Sequence, residues 1–222
     1  MTGTTKISMV YVFDAYCGWC YGFGPQLTQF LGSIEDGYDL EVISGGLFTG
    51  DRVLPASAIP YLDQANQRIA EATGAVFGHS YRMLMADSGF VMDSTAAARG
   101  FAALRAQDPE RALTMATAMQ DAFYRDGRSL SDPATYGYLA GRLGLDVDAV
   151  VGAFVSIEAA EAGIGDFAIA RTLGVVEFPT LLVRLSGNRV GRLGNATSSA
   201  SDLAEQMAVY RPESAERSPL AQ

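Results

Sequence analysis

The chain has 222 residues, 49% of them hydrophobic and 18% charged, which is enough to bury a core without covalent cross-links and is unlike disordered or fibrous compositions. Twenty-five acidic against sixteen basic side chains give a formal charge of -9, which argues against nucleic acid or an anionic membrane surface as a partner. The longest nearly uncharged apolar stretch, 149–157, is far short of the roughly 20 residues that span a bilayer, so no membrane partner is expected.

Ile7–Phe13 is rich in β-branched and aromatic residues and has the length of a buried strand. Lys6 precedes it, but no small-residue cleavage site follows. The run is therefore expected to be a strand of the fold rather than an export signal, and the cytoplasm is the expected compartment. The sequence CGWC at 17–20 comes next, and a helix is expected to start there. Tyr38–Ser44 alternates polar and apolar residues ahead of Gly45 and Gly46, which predicts a second strand ending in a loop.

From 55 to 156 the pattern turns helical. Pro60 opens a segment that Gly74 ends, and Asp93 or Ser94 can cap another running through Ala106. Asp108 followed by Pro109 is a start signal, with Gly127 as its stop. Between them Ala112, Met115, Ala116, Met119 and Phe123 share one face, so these methionines read as core filler. Asp132 and Pro133 repeat the start, Gly144 closes, and Asp146 or Asp148 begins the next helix. A helix over 157–173 leads to a strand at 180–185, a turn at 186–188, a returning strand at 189–193 and a closing helix at 199–210, followed by a polar tail. The order is that of an α/β protein whose sheet-forming parts, 1–54 and 157–215, flank an inserted helical subdomain, 55–156. With the 157–173 helix as crossover, the third strand is expected to be parallel and to continue into an antiparallel hairpin.

Cys17 and Cys20 are one helical turn apart, and Cys17 sits where unsatisfied N–H groups and the helix dipole favour a thiolate. That makes Cys17 the candidate nucleophile and Cys20 the resolving thiol of dithiol–disulfide exchange. A staple closing so short a loop would contribute only about 2 kcal/mol. A closed zinc site wants four Cys or His ligands, and the chain offers two cysteines and His79, so no metal is expected unless a second chain completes the set. His79 reads as structural or surface.

Four features place the pair in a larger pattern: a strand, CGWC and a helix in succession; Pro25 eight residues after Cys17; the tripeptide Phe178, Pro179, Thr180 ahead of a strand; and the helical insertion. With these the chain resembles thioredoxin-fold proteins of the DsbA family, and SGGLF at 44–48 and MQDAFYRDG at 119–127 are similar to segments of its FrnE-like branch. The resemblance implies thiol–disulfide oxidoreduction without a cofactor and a cis peptide bond before Pro179. It also implies a groove beside Cys17, bordered by Phe178, Pro179 and Thr180, for a polypeptide or a small thiol such as glutathione. Gly18 and Trp19 complete the implied substrate-binding set, with Trp19 partly exposed beside the thiol. Two positions depart from the family pattern. Trp19 replaces the histidine of strongly oxidising members, which implies a milder oxidant or a reductant. Tyr11 stands where many thioredoxin-fold enzymes bury an acid, leaving Asp14 as a weak substitute.

Two other readings stay open at this level: a glutathione-dependent isomerase or transferase of the related inserted fold, and a non-enzymatic binding or metal module. A monomer or a homodimer is compatible with the sequence.

Overall fold

A computed structural model describes residues 6–35 and 37–210, with the polar tail and the end of the 157–215 segment outside that range. One of the two inner strands of the sheet is β1 (Ile7–Phe13), buried almost from end to end because both of its faces are covered. The strand period of two separates its side chains. Met9, Tyr11 and Phe13 point into the main core, whereas Val10 and Val12 join Ile43, Ala170, Val175 and Leu182 in a second core on the other face.

After β1 comes α1 (Gly18–Gly32), which buries Cys20, Phe23, Leu27, Phe30 and Leu31 along one stripe at helical spacing and carries Pro25 inside it. Next is β2 (Tyr38–Ser44). The helical block then consists of α2 (Leu62–Thr73), α3 (His79–Ala86), α4 (Ser94–Arg105), α5 (Ala112–Tyr124), α6 (Pro133–Leu143) and α7 (Val147–Phe154). The chain returns through α8 (Ile157–Thr172), β3 (Thr180–Arg184), β4 (Val190–Leu193) and α9 (Ala200–Ala208). Side chains at the expected starts satisfy orphan N–H groups: Asp93 for α4, Asp132 for α6, Asp146 for α7, Ser156 for α8 and Ser199 for α9. Pro109 opens a single 3-10 turn, Pro109–Arg111, before α5 begins at Ala112. A further helix that the sequence pattern does not single out, α3, starts at the exposed His79 and is anchored by the buried Tyr81.

The sheet order is β2-β1-β3-β4. β1 and β2 are parallel, but β3 is antiparallel to β1, with Thr180 opposite Val12, and this corrects the expectation of a parallel third strand. The cause is where the chain re-enters the sheet. Residues after α8 arrive at the end where β1 and β2 finish, so β3 can only run back from there. The antiparallel β3–β4 hairpin follows. This reversal sets the segment 177–179 beside the end of β1, which is where Cys17 lies.

The helical block and the sheet share one core. Phe13 of β1 meets Phe101 of α4 edge-on at 5.0 Å between ring centroids, and Tyr16 meets Phe123 of α5 at 4.8 Å. No helix among the described residues is long and apolar enough to cross a membrane.

Candidate active site

Asp14 organises the turn that leads from β1 into α1. Its backbone carbonyl accepts the Cys17 N–H at 3.0 Å. One carboxylate oxygen accepts the Tyr16 N–H at 2.9 Å, and the other reaches across to the Leu47 N–H at 2.8 Å. A short side chain thus ties the cysteine turn to the loop after β2. Burial pushes the Asp14 carboxyl up from the ordinary carboxylate range, and the N–H groups of Leu47 and Tyr16 offset part of that.

Cys17 is the N-cap of α1, with φ -86° and ψ 109°, and its sulfur accepts the Cys20 N–H at 3.4 Å. The same sulfur donates its proton to the Phe178 carbonyl at 3.5 Å. Cys17 is 6% exposed and Cys20 is 0% exposed, so the first thiol lies at the surface of the site and the second lies beneath it. Both are free thiols. Burial holds the Cys20 thiol well above its ordinary range, and the adjacent Cys17 sulfur adds to this. Tyr11, Tyr16 and Tyr124 stand around the pair. Their hydroxyls are also held up, first by burial, and so stay neutral at physiological pH.

The Phe178–Pro179 peptide bond is cis. The Phe178 ring lies so close to Gly45 that a Cβ there would stand 1.9 Å from it, so the loop after β2 admits the ring only because residue 45 has no side chain. Pro179 and Thr180 are buried, and the Thr180 hydroxyl donates to the Glu177 carbonyl at 2.8 Å.

Two cavities meet at Cys17 and Trp19. One, of about 470 Å³, runs towards α2 and is mostly apolar, with Gly18, Phe48, Ile59, Ile69 and Tyr124 in its wall. The other, of about 500 Å³, lies between the loop after β2 and the end of α8 and is lined by Phe178, Arg52 and Arg171 among others. Of the residues read from sequence, Cys17, Gly18, Trp19 and Phe178 come together at these cavities, with the half-buried Trp19 between them. Cys20 lies beneath Cys17, and neither Pro179 nor Thr180 is in either wall. Sequence reasoning missed Gly45, Arg52 and Arg171 and underrated Asp14. The Gly45 and Gly46 pair was the one available local signal. A larger cleft of about 1080 Å³ lies at the opposite end of the strands, lined by Lys6 and Tyr38, and holds neither cysteine. Among the described residues no group of three or more His, Cys, Asp or Glu side chains is placed to hold a metal ion.

The model of the DSBA-like thioredoxin domain matches residues 9–207. The structure is similar to the cytosolic disulfide reductase DsbM from Pseudomonas aeruginosa, at 26% identity over 92% of this chain and 98% of that one, with a TM-score of 0.77. The form of DsbM solved with GSH matches with a TM-score of 0.75, again at 26% identity, over 92% of this chain and 100% of that chain. A probable DsbA oxidoreductase from Streptomyces coelicolor shares the fold, at 20% identity, 97% coverage of this chain, 93% of its own and a TM-score of 0.70. None of the curated proteins compared matches the chain. With a cysteine pair held one turn apart at the start of α1 and a family match over nearly its whole length, the chain belongs to the DSBA-like thioredoxin domain family and is an enzyme of the protein-disulfide oxidoreductase type.

Proposed function

We propose that the protein is a dithiol–disulfide oxidoreductase in which Cys17 is the nucleophile and Cys20 the resolving thiol. The observation that carries this reading is the arrangement of the two sulfurs. Cys17 borders two cavities and receives the Cys20 N–H at 3.4 Å, while Cys20 is sealed one turn behind it. In the reducing direction the Cys17 thiolate attacks one sulfur of a substrate disulfide, forming a mixed disulfide and expelling the other sulfur as a thiolate. Cys20 then loses its proton and attacks the Cys17 sulfur, closing the Cys17–Cys20 disulfide and releasing the second substrate thiolate. The protein loses two electrons, the substrate gains them, and the protons of the two cysteines end on the two thiols released. Two equivalents of a small thiol reverse these steps on the protein and restore the dithiol.

Reduction is the favoured direction, because Trp19 brings no charge to stabilise the thiolate form and because the similar DsbM is a cytosolic disulfide reductase. The DsbM structure with GSH supports glutathione as the small thiol and a cytosolic setting. Phe178, together with Pro179 and Thr180 behind it, forms the edge along which a disulfide substrate lies. Cys17→Ser is expected to lose reduction of insulin or glutathione disulfide below detection, and Cys20→Ser to accumulate a mixed disulfide visible by mass spectrometry. Full activity in both variants would overturn the assignment. Full activity in Cys20→Ser alone, with glutathione bound, would favour an isomerase or transferase.

A further inference from the structure

We infer that Arg52 and Arg171 form a carboxylate-binding subsite beside Cys17 that selects glutathione and its disulfide over uncharged thiols and disulfides. The inference rests on the oxidoreductase reading above for its chemistry, and on charge placement for its specificity. The protein as a whole carries a formal charge of -9, which repels an anionic substrate at long range. The cavity of about 500 Å³ that opens on Cys17 departs from that average. Its charged lining residues are Arg52, Arg171 and Glu177, and the Glu177 carboxylate is taken by an ion pair with Arg192 on β4. That leaves Arg52 and Arg171 as the basic residues lining the space beside the reactive sulfur. Neither is in an ion pair among the described residues.

Arg52 is held in place. One of its terminal nitrogens donates to the Gly46 carbonyl at 3.1 Å and to the Thr49 hydroxyl at 3.3 Å, which fixes the group against the loop after β2 and leaves its remaining N–H donors for a ligand. Arg171 comes from the last turn of α8, on the opposite wall. A guanidinium fork matches a carboxylate with two parallel hydrogen bonds, so cations on two walls suit a ligand with a carboxylate at each end. Glutathione is such a ligand, with its thiol between its two carboxylates. The apolar cavity on the other side of Trp19 offers Arg52 again, but with Asp51 beside it, and is the poorer place for an anion. No covalent step is added: the subsite holds the substrate while Cys17 and Cys20 exchange as described.

The test compares two disulfides in the full chain. For the wild type, Arg52→Gln, Arg171→Gln and the double variant, the ratio of kcat/KM for glutathione disulfide to that for the uncharged 2-hydroxyethyl disulfide is measured at low and high salt. In parallel the affinity for S-methylglutathione, which cannot exchange, is measured by calorimetry. A charge-assisted pair of hydrogen bonds corresponds to about a tenfold change, so each substitution is expected to lower both the ratio and the affinity about tenfold, and salt should shrink the difference. A ratio and an affinity in the double variant within about threefold of wild type would overturn the subsite. Arginine-dependent binding of S-methylglutathione by a wild-type protein that exchanges neither disulfide would sink the oxidoreductase reading and leave the subsite standing.

Discussion

Asp14 links the end of β1 to Cys17: its side chain fixes the turn, the turn presents the sulfur, and its charge adds to the burial that keeps Cys20 protonated. It does not occupy the position, six residues before Cys17, where many thioredoxin-fold enzymes bury an acid. Tyr11 is there, its ring stacked on Phe13 with centroids 5.9 Å apart and its hydroxyl buried without a hydrogen-bond partner among the described residues. A neutral phenol in that place cannot take the Cys20 proton as a carboxylate would, which leaves Asp14 as the nearby acid. A folded carboxyl whose pKa is raised holds its proton more tightly than the unfolded chain does. Its contribution to stability is therefore complete below the ordinary Asp value of about 3.9 and is lost as pH rises through the folded value. Asparagine has no such dependence, and it also leaves one of the two backbone N–H groups facing an amide nitrogen. Asp14→Asn is thus expected to cost about 1 to 3 kcal/mol, with the gap to wild type largest near pH 4 and narrower near pH 7 in urea titrations. A gap that widens with pH would contradict the assignment.

At the scale of elements, the site depends on two loops that pass closer than side chains normally allow. At Gly45 an added Cβ would lie 1.9 Å, 2.3 Å and 2.6 Å from three atoms of the Phe178 ring, so the ring as a whole must move. The Phe178 carbonyl, which accepts the Cys17 proton, would move with it. Gly45→Ala is expected to reduce kcat/KM for a disulfide substrate at least about tenfold while costing about 1 to 3 kcal/mol of stability, the scale of an overpacked contact. Unchanged kinetics in a folded variant would show that the Phe178 carbonyl is not needed where it stands. Much of the element plan was legible because its signals are local. Asp93, Asp132, Asp146 and Ser156 each bond an N–H within three residues of themselves, and Pro133 and Gly144 mark one helix at both ends. What was not legible depends on distant partners. The direction of β3 follows from where α8 ends in space, and α3 is held by Tyr81 packing on Phe77, Phe123 and Tyr124. The site divides the same way: CGWC and Pro179 stand out in sequence, whereas Arg52 and Arg171 come to line one cavity only once the chain has folded. Arg105 and Asp166, 61 residues apart, pair at 2.9 Å and tie α4 to α8, and nothing in either neighbourhood signals the other.

For the molecule as a whole, the question is whether an inserted helical block behaves as a unit of its own. The sheet and the block bury side chains into one continuous core that runs from Met9 and Phe13 through Cys17 and Cys20 to Phe101, Met119 and Phe123. Phe101 sits at the junction, fully buried, with its ring edge-on to Phe13 and the Arg105 guanidinium 4.9 Å from its centroid. An inserted unit with its own core would unfold separately from the sheet, whereas a shared core should melt in one cooperative step. Trp19 is the single tryptophan and reports on the sheet side of the site, while far-UV ellipticity is dominated by the helical block. The two probes are expected to give coincident urea transitions. Phe101→Ala removes a large ring from the junction and should cost about 3 to 5 kcal/mol, shifting both transitions to lower urea by the same amount. If the ellipticity transition shifts and the Trp19 transition does not, the block has a stability of its own, and the cysteine pair rests on the sheet alone.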